Sequence, residues 1–381
     1  MSAQQPRIFT CTPFAFHANG SFFGRDTGLI CKSLQALGVE SRVVMPLPHY
    51  EDDLTDAPLL RAEMQQLRSV SWWREQNLDG VMLYSWGDPR YLPVARAIHR
   101  AGIHLVIHYD ANCELHEHLL RPGGALKHLI NRTKDVLVNY LRARHLGYAD
   151  TITCTPPVTQ AFREDSYYGE AISAKCMDMP CPVADTFHLQ SGVHKERLMV
   201  AVGRWNDVRQ KRPEMLTAAL DAYYAATSPS QRCRTEIYGT VTDSMRDWHA
   251  ALHKDIQACV SLKGYAPQTV LAVVYNRARC IICPSLFEGS HNVSAEALCC
   301  GCAVVCTNLP ILLCNVIWYA QHGCGTVAQE DTPESLAAAL QEESAAWDSG
   351  LRDPQRIAAT WQPRVQVPYT LPRLFPVLNG R

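Results

Sequence analysis

No run of this chain approaches the roughly 18 uninterrupted apolar residues that a membrane helix needs, which excludes a spanning segment of that kind. Charge of one sign is also missing: 36 Lys and Arg stand against 37 Asp and Glu, for a formal net charge of -1. That balance gives no global reason to bind nucleic acid or an acidic membrane, and leaves only local patches. A charged leader, an apolar core and a small-residue cleavage site are absent. Residues 1–7 are polar, and the apolar run 8–16 is broken by Pro13. The expected location is therefore cytoplasmic, where thiols stay reduced. The three Asn-x-Ser/Thr triplets, at Asn19, Asn131 and Asn292, then read as coincidences. No G-x-x-x-x-G-K-[ST] run occurs, which excludes a P-loop enzyme. No Asp-x-Asp follows a strand-like run, since Glu51-Asp52-Asp53 lies in a polar loop. What the chain has in excess is cysteine, 16 residues of it.

The 381 residues, of which 47% are hydrophobic and 19% charged, have ordinary globular composition. At roughly 150 residues per domain they predict two domains. Short apolar runs alternate with longer amphipathic segments. A first series of strands is expected at 7–11, 41–46, 81–84, 104–109 and 151–154. A second is expected at 198–202, 236–238, 260–262, 281–283, 304–306 and 325–328. Between Asp26 and Gly38, Leu29, Ile30, Leu34 and Leu37 recur at helical spacing, with Gly38 as a stop. Strands separated by helices of this length argue for parallel sheets with right-handed crossovers. The fold class is α/β: two doubly wound, Rossmann-like domains facing across a cleft. Pro180-Cys181-Pro182-Val183 reads as the hinge. The expected division is 1–183, 184–353 and a Pro-rich tail, 354–381, crossing back toward the first domain. Ligands of such folds sit at the carboxyl ends of the strands.

Two segments carry chemistry. Pro284-Ser285-Leu286-Phe287-Glu288-Gly289-Ser290-His291-Asn292-Val293 follows a buried run and leads into a helix holding Glu296. Asn292 is the expected cap of that helix and Gly301 its C′ residue. Backbone N–H groups at a helix N-terminus make an anion site. A carboxylate inside the helix accepts from a ribose diol, and one on the loop accepts from sugar hydroxyls. Two glutamates eight positions apart are common, however, and alone read as a loop residue and a solvated helix residue. The second segment, Leu198 to Trp205, is a strand ending in Gly203-Arg204, with Lys211 seven residues on. Two cations at a strand's carboxyl end can clamp a diphosphate leaving group.

Taken together these residues resemble the retaining GT-B glycosyltransferases of the family 4 (group 1) type. The matching motifs are Gly203-Arg204 with Lys211, Gly264-Tyr265, the Glu288 to Glu296 loop and helix, and Glu296-Ala297-Leu298 running through Gly301 to Val304-Val305. Gly325-Thr326-Val327-Ala328 and Thr332-Pro333-Glu334 look like the family's ending. The resemblance is specific over about residues 198–340 and collinear but weaker before that. It implies transfer of a sugar from a nucleotide-diphosphate donor to a glycan, lipid-linked or small-molecule acceptor. In such enzymes Arg204 and Lys211 would neutralise the diphosphate, Glu288 would contact the donor sugar and Glu296 would hold the ribose. Gly289, Ser290, His291, Asn292 and Val293 would complete the cradle, and Tyr265 would lie near the base. Front-face substitution is implied, with the leaving phosphate oxygen taking the acceptor's proton. No cofactor and no metal are expected, the nucleotide-sugar being a substrate.

The sequence departs from the family at three places. Lys211-Arg212-Pro213 stands where Lys-Gly is usual, which leaves Arg209 and Arg212 as alternative clamps. The Gly-Gly of the first loop is reduced to Gly20, so Asn19 or Ser21 enters as a phosphate contact. The usual His of the acceptor side is missing, and Trp86, His108 and Asp110 are the nearest replacements. A basic stretch, residues 121–145, holds Arg121, Lys127, Arg132, Lys134, Arg142 and Arg144 against Asp135 alone. It reads either as a solvated helix face or as a peripheral contact with anionic lipid at the inner face of the membrane. Two other functions stay open: a sugar-nucleotide epimerase or hydrolase on the same fold, and a non-catalytic zinc-binding or scaffold protein. Cys280, Cys283, Cys299 and Cys302 have zinc-like spacing. Residues three apart on a strand point to opposite faces, however, which favours buried thiols.

Overall fold

The computed structural model describes residues 5–109, 125–164, 168–311 and 314–378. The chain divides into two compact units, Met1–Ala184 with Arg364–Arg381, and Asp185–Pro363. The first unit holds seven strands: β1 (Ile8–Cys11), β2 (Val43–Pro46), β3 (Leu59–Ala62), β4 (Gly80–Leu83), β5 (His104–His108), β6 (Thr151–Cys154) and β7 (Cys176–Asp178). They lie in the order β3-β2-β1-β4-β5-β6-β7. The second unit holds β8 (Leu198–Gly203), β9 (Arg234–Gly239), β10 (Val260–Gly264), β11 (Cys280–Cys283), β12 (Ala303–Cys306) and β13 (Gly325–Val327), in the order β10-β9-β8-β11-β12-β13. Every strand pairing is parallel. Each sheet is therefore doubly wound, with its direction of winding reversing between β1 and β4 and between β8 and β11.

The central strands are fully buried, which is why they read as unbroken apolar runs instead of alternating ones. Their predicted positions agree with the structure to within two residues at each end. Two strands went unpredicted, β3 and β7. Both are edge strands, four and three residues long, and only half-buried for most of their length. Without a core on both faces they carry no apolar run to read. The helix expected after Asp26 spans Asp26–Ala36, and Gly38 follows it with φ +75°. No described helix is long and apolar enough to cross a membrane.

Val183 donates its N–H to the Val365 carbonyl at 2.9 Å, so the segment before the unit boundary is tied to the start of the returning tail. From there the helix Val367–Leu374 places Val367, Leu371 and Leu374 in a core cluster with Ile8, Ile30, Leu34, Met82 and Val106. The tail is thus a core element of the first unit from residue 364, and the helix before it, Pro354–Val365, begins in the second.

The end of β8 is held tightly. Gly239, at φ +107°, closes β9 where a Cβ would stand 1.9 Å from the Gly203 carbonyl oxygen. Only glycine permits that approach. It fixes the point from which Arg204 leaves the sheet.

Candidate functional site

In a doubly wound sheet, the crevice at the carboxyl ends of the two strands flanking the reversal is where ligands bind. In the second unit those strands are β8 and β11, which pair directly. The segments leaving them are the two singled out by sequence. The first forms a short turn, Val208–Lys211, capped by Asp207, whose side chain accepts from the Gln210 N–H at 3.4 Å. The second is the loop 284–291, followed by the helix Asn292–Cys299.

The fold brings Lys211 and Glu288 into a buried ion pair, Nζ to Oε1, with both side chains nearly inaccessible. Gln210 joins them. Its Nε2 donates to Glu288 Oε2 at 3.2 Å and to the Phe287 carbonyl at 3.1 Å. The Leu286 N–H donates back to the Gln210 carbonyl at 2.8 Å. On the other side the Asn315 N–H donates to the Glu288 carbonyl at 3.1 Å. His291 lies beneath, its Nε2 3.8 Å from Glu288 Oε1 and its Nδ1 2.7 Å from Ser294 Oγ. Burial by itself raises the Glu288 carboxyl, but His291 and Lys211 outweigh it and the net shift is downward. Burial pushes His291 down to about 4, so near neutrality Lys211 is the cation that holds Glu288 ionised.

The remaining predicted residues are placed as follows. Glu296 is buried in the same helix, as its fifth residue. Arg204 extends into solvent, 3.9 Å from Asp207. Tyr265 follows β10 and is 82% exposed. Gly289 is buried, while Ser290, Asn292 and Val293 are half-buried. Asn292 does not cap its helix. It is the first helical residue, His291 takes the cap position without a side-chain bond, and the buried Asn292 Oδ1 has no hydrogen-bond partner among the described residues. Gly301 does end the helix: its N–H bonds the Leu298 carbonyl and that of Cys302 bonds Ala297, a Schellman closure at φ +69°.

The geometry also separates the three cations that follow β8. Arg212 pairs with Asp331 at 2.7 Å, and Arg209 lies over the Phe287 ring at 5.9 Å. Lys211 alone of the three reaches Glu288. Arg212 occupies the left-handed region at φ +52°, a conformation natural for the glycine usual there and strained for arginine. Gln210 was missed by sequence reasoning. Its only signal was adjacency to Lys211.

Cys280, Cys283, Cys299 and Cys302 are all buried, and no group of three or more His, Cys, Asp or Glu suited to a metal occurs among the described residues.

In the first unit, Gly20 is exposed on the loop after β1. Asn19 bonds Asp52 and the Phe22 N–H, so its amide is already engaged. Trp86 follows β4 at φ +49° and stacks on Phe14 at 4.6 Å. His108 is a core residue: Nδ1 meets Thr153 Oγ1 at 2.9 Å, Nε2 meets Cys181 Sγ at 3.2 Å, and no surface is exposed. That burial removes it from the acceptor-facing groups expected of this unit. Asp110 lies outside the described residues. Of the basic stretch 121–145, the side chains up to 132 lie outside them too. Beyond that, Lys134 and Arg144 are exposed, but Arg142 is buried and donates to Asn139 at 2.6 Å. Val136, Leu137, Val138, Tyr140 and Leu141 are exposed between them. The outward surface from 136 to 141 is therefore apolar and not basic.

Residues 196–343 match the family model described as "Glycosyl transferases group 1". The match lies within the second unit and covers most of it. No curated protein matches the chain in sequence. Solved structures resemble it along its whole length. Anabaena HepE in complex with UDP superposes with a TM-score of 0.67 at 14% identity, covering 99% of this chain and 100% of that one. A glycosyltransferase from Rickettsia africae gives 0.64 at 12%, covering 100% of each. WaaG, a glycosyltransferase involved in lipopolysaccharide biosynthesis, gives 0.60 at 17%, covering 98% and 100%. The fold is GT-B. Within the matched segment, the Lys211–Glu288 pair stands at the switch point of its sheet.

Proposed function

We propose that the chain is a retaining glycosyltransferase using a nucleotide-diphosphate sugar. The observation that carries the reading is the Lys211–Glu288 pair at the β8/β11 switch point, in a domain whose sequence matches group 1. The HepE fold is recorded with UDP and with UDP-glucose, which supports a nucleotide-sugar as the ligand class. In this reading Arg204 and Lys211 meet the diphosphate, and the helix starting at Asn292 turns its N–H groups toward it. Glu288 accepts from hydroxyls of the sugar, Glu296 holds the ribose and the exposed Tyr265 stacks on the base. Gly289, Ser290, His291 and Val293 shape the loop, and the unpartnered Asn292 Oδ1 gives it a further acceptor. The bond from the anomeric carbon to the phosphate oxygen breaks as the bond to the acceptor oxygen forms on the same face. The acceptor's proton passes to the departing phosphate oxygen, and no protein nucleophile takes part. Charge builds on the diphosphate in the transition state, where a preorganised cation stabilises it most.

The test is a calorimetric titration of the donor into wild type and Glu296→Ala. Losing a charged partner of two hydroxyls weakens binding about 10- to 100-fold. An unchanged isotherm removes Glu296 from the site.

A further inference from the structure

Gln210 has no role in the reading above, yet it touches the loop after β11 at three points. Its side-chain amide donates to Glu288 Oε2 at 3.2 Å and to the Phe287 carbonyl at 3.1 Å, and its own carbonyl accepts from Leu286 at 2.8 Å. It sits in the turn Val208–Lys211, which leaves β8 beside β11 and is capped by Asp207. Glu288 is thus held at both oxygens by consecutive residues: Oε1 by the Lys211 ammonium and Oε2 by the Gln210 amide.

The two holders differ in what an incoming diphosphate does to them. An ammonium is a mobile cation that a diphosphate attracts away from a single carboxylate. A primary amide is neutral and its donor hydrogens have no such pull toward phosphate. When Lys211 turns to the donor's phosphates, Gln210 is the group still bonded to Glu288. His291 offers no substitute, because its Nε2 stands 3.8 Å away and its Nδ1 is committed to Ser294.

We propose that Gln210 is the positioning residue of Glu288: it keeps the carboxylate aimed at the donor sugar while Lys211 is released to the diphosphate. This rests on the reading of Glu288 as the sugar-contacting group. Gln210 acts through Glu288: among the described residues its side chain hydrogen-bonds Glu288 and the Phe287 carbonyl. Its effect therefore falls on recognition of the sugar and leaves that of the nucleotide alone.

The experiment uses the full chain and four ligand pairs: UDP, GDP, ADP and dTDP, each beside its glucose ester, with GDP-mannose added. Wild type, Gln210→Ala and Gln210→Glu are titrated with the pair that wild type binds. Gln210→Ala is expected to bind the nucleoside diphosphate as wild type does and the nucleotide-sugar about tenfold more weakly, the effect of one hydrogen bond to a charged group. Gln210→Glu sets a second carboxylate against the first, and such a pair holds one proton between them. Its transfer rate relative to wild type is expected to fall as pH rises from about 5 to about 8. Equal weakening of both ligands would mean that Gln210 only supports the loop, and would overturn the proposal. A Gln210→Glu profile parallel to wild type would do the same. Wild type binding no member of any pair would instead overturn the donor reading on which the proposal stands.

Discussion

Lys211→Met is expected to lower the transfer rate by about two to three orders of magnitude and to destabilise the second unit at the same time. Both effects follow from one pair. Lys211 and Glu288 are nearly inaccessible to water, and removing the ammonium leaves a buried carboxylate with no cation. Stranding a buried charge in this way costs about 3–5 kcal/mol. The Gln210 amide still donates to Glu288, but a neutral donor does not compensate a full charge. The double variant Lys211→Met/Glu288→Gln separates the two effects. With neither charge present the desolvation penalty vanishes, so its denaturation midpoint returns most of the way to wild type. Transfer does not return, because the diphosphate has lost its cation. Urea denaturation and a donor-consumption assay on the three proteins check this. A single variant with wild-type turnover, or a double variant as unstable as the single, would contradict the assignment.

Acidification from pH 7 to 4 is expected to remove several kcal/mol of stability, beginning well above the range in which ordinary carboxylates titrate. Among the described residues three histidines are buried and held neutral: burial pushes His108 down to about 3 and His145 and His291 to about 4. Below about pH 6.5 the unfolded chain binds a proton on each, and the folded chain does not until its own lower value is reached. The unfolded state therefore binds more protons across that window, and stability falls as pH falls. Each histidine contributes on the order of 3 kcal/mol over the whole window. Glu288, held below the ordinary carboxylate range, adds to the loss further into acid. His145 is fixed by Ser85 at 2.7 Å and His108 by Thr153, both in the first unit, while His291 is in the second. Melting temperature followed from pH 7 to 4 is the measurement, and His108→Gln should flatten the slope. A melting temperature constant down to about pH 4.5 would show that these imidazoles are not buried neutral.

Much of the second unit was legible in the sequence because its signals are local. Gly203-Arg204 ends a buried strand, and the Glu288 loop begins where another buried strand stops. Parallel α/β topology then brings the two together at the sheet's reversal. What stayed hidden depends on contacts made by the folded chain. Gln210 has no motif of its own, and only the return of the β11 loop onto the β8 turn reveals it. Among Arg209, Lys211 and Arg212 the sequence left the choice open. Asp331, more than a hundred residues on, pairs with Arg212, while Lys211 pairs with Glu288. Asn292 looked like a cap because asparagine often is one, but the chain enters the helix one residue earlier, at a buried His291. His108 stands in for the family's acceptor-side histidine by residue type alone, and the apolar run before it, Leu105 to Ile107, is the mark of the core strand that buries it. The edge strands β3 and β7 were illegible for the opposite reason, being too short and too exposed to leave an apolar signature.

The most direct test of the donor site is a thermal-shift titration of wild type with UDP-, GDP-, ADP- and dTDP-sugars. A ligand that binds only the folded state raises its stability by RT ln(1 + [L]/Kd), about 2.7 kcal/mol at a hundredfold excess over Kd. One base is expected to give a clear, saturable rise in melting temperature, which Glu296→Ala loses. No rise with any of the four at millimolar concentration would contradict the assignment of the β8/β11 switch point to a nucleotide-sugar.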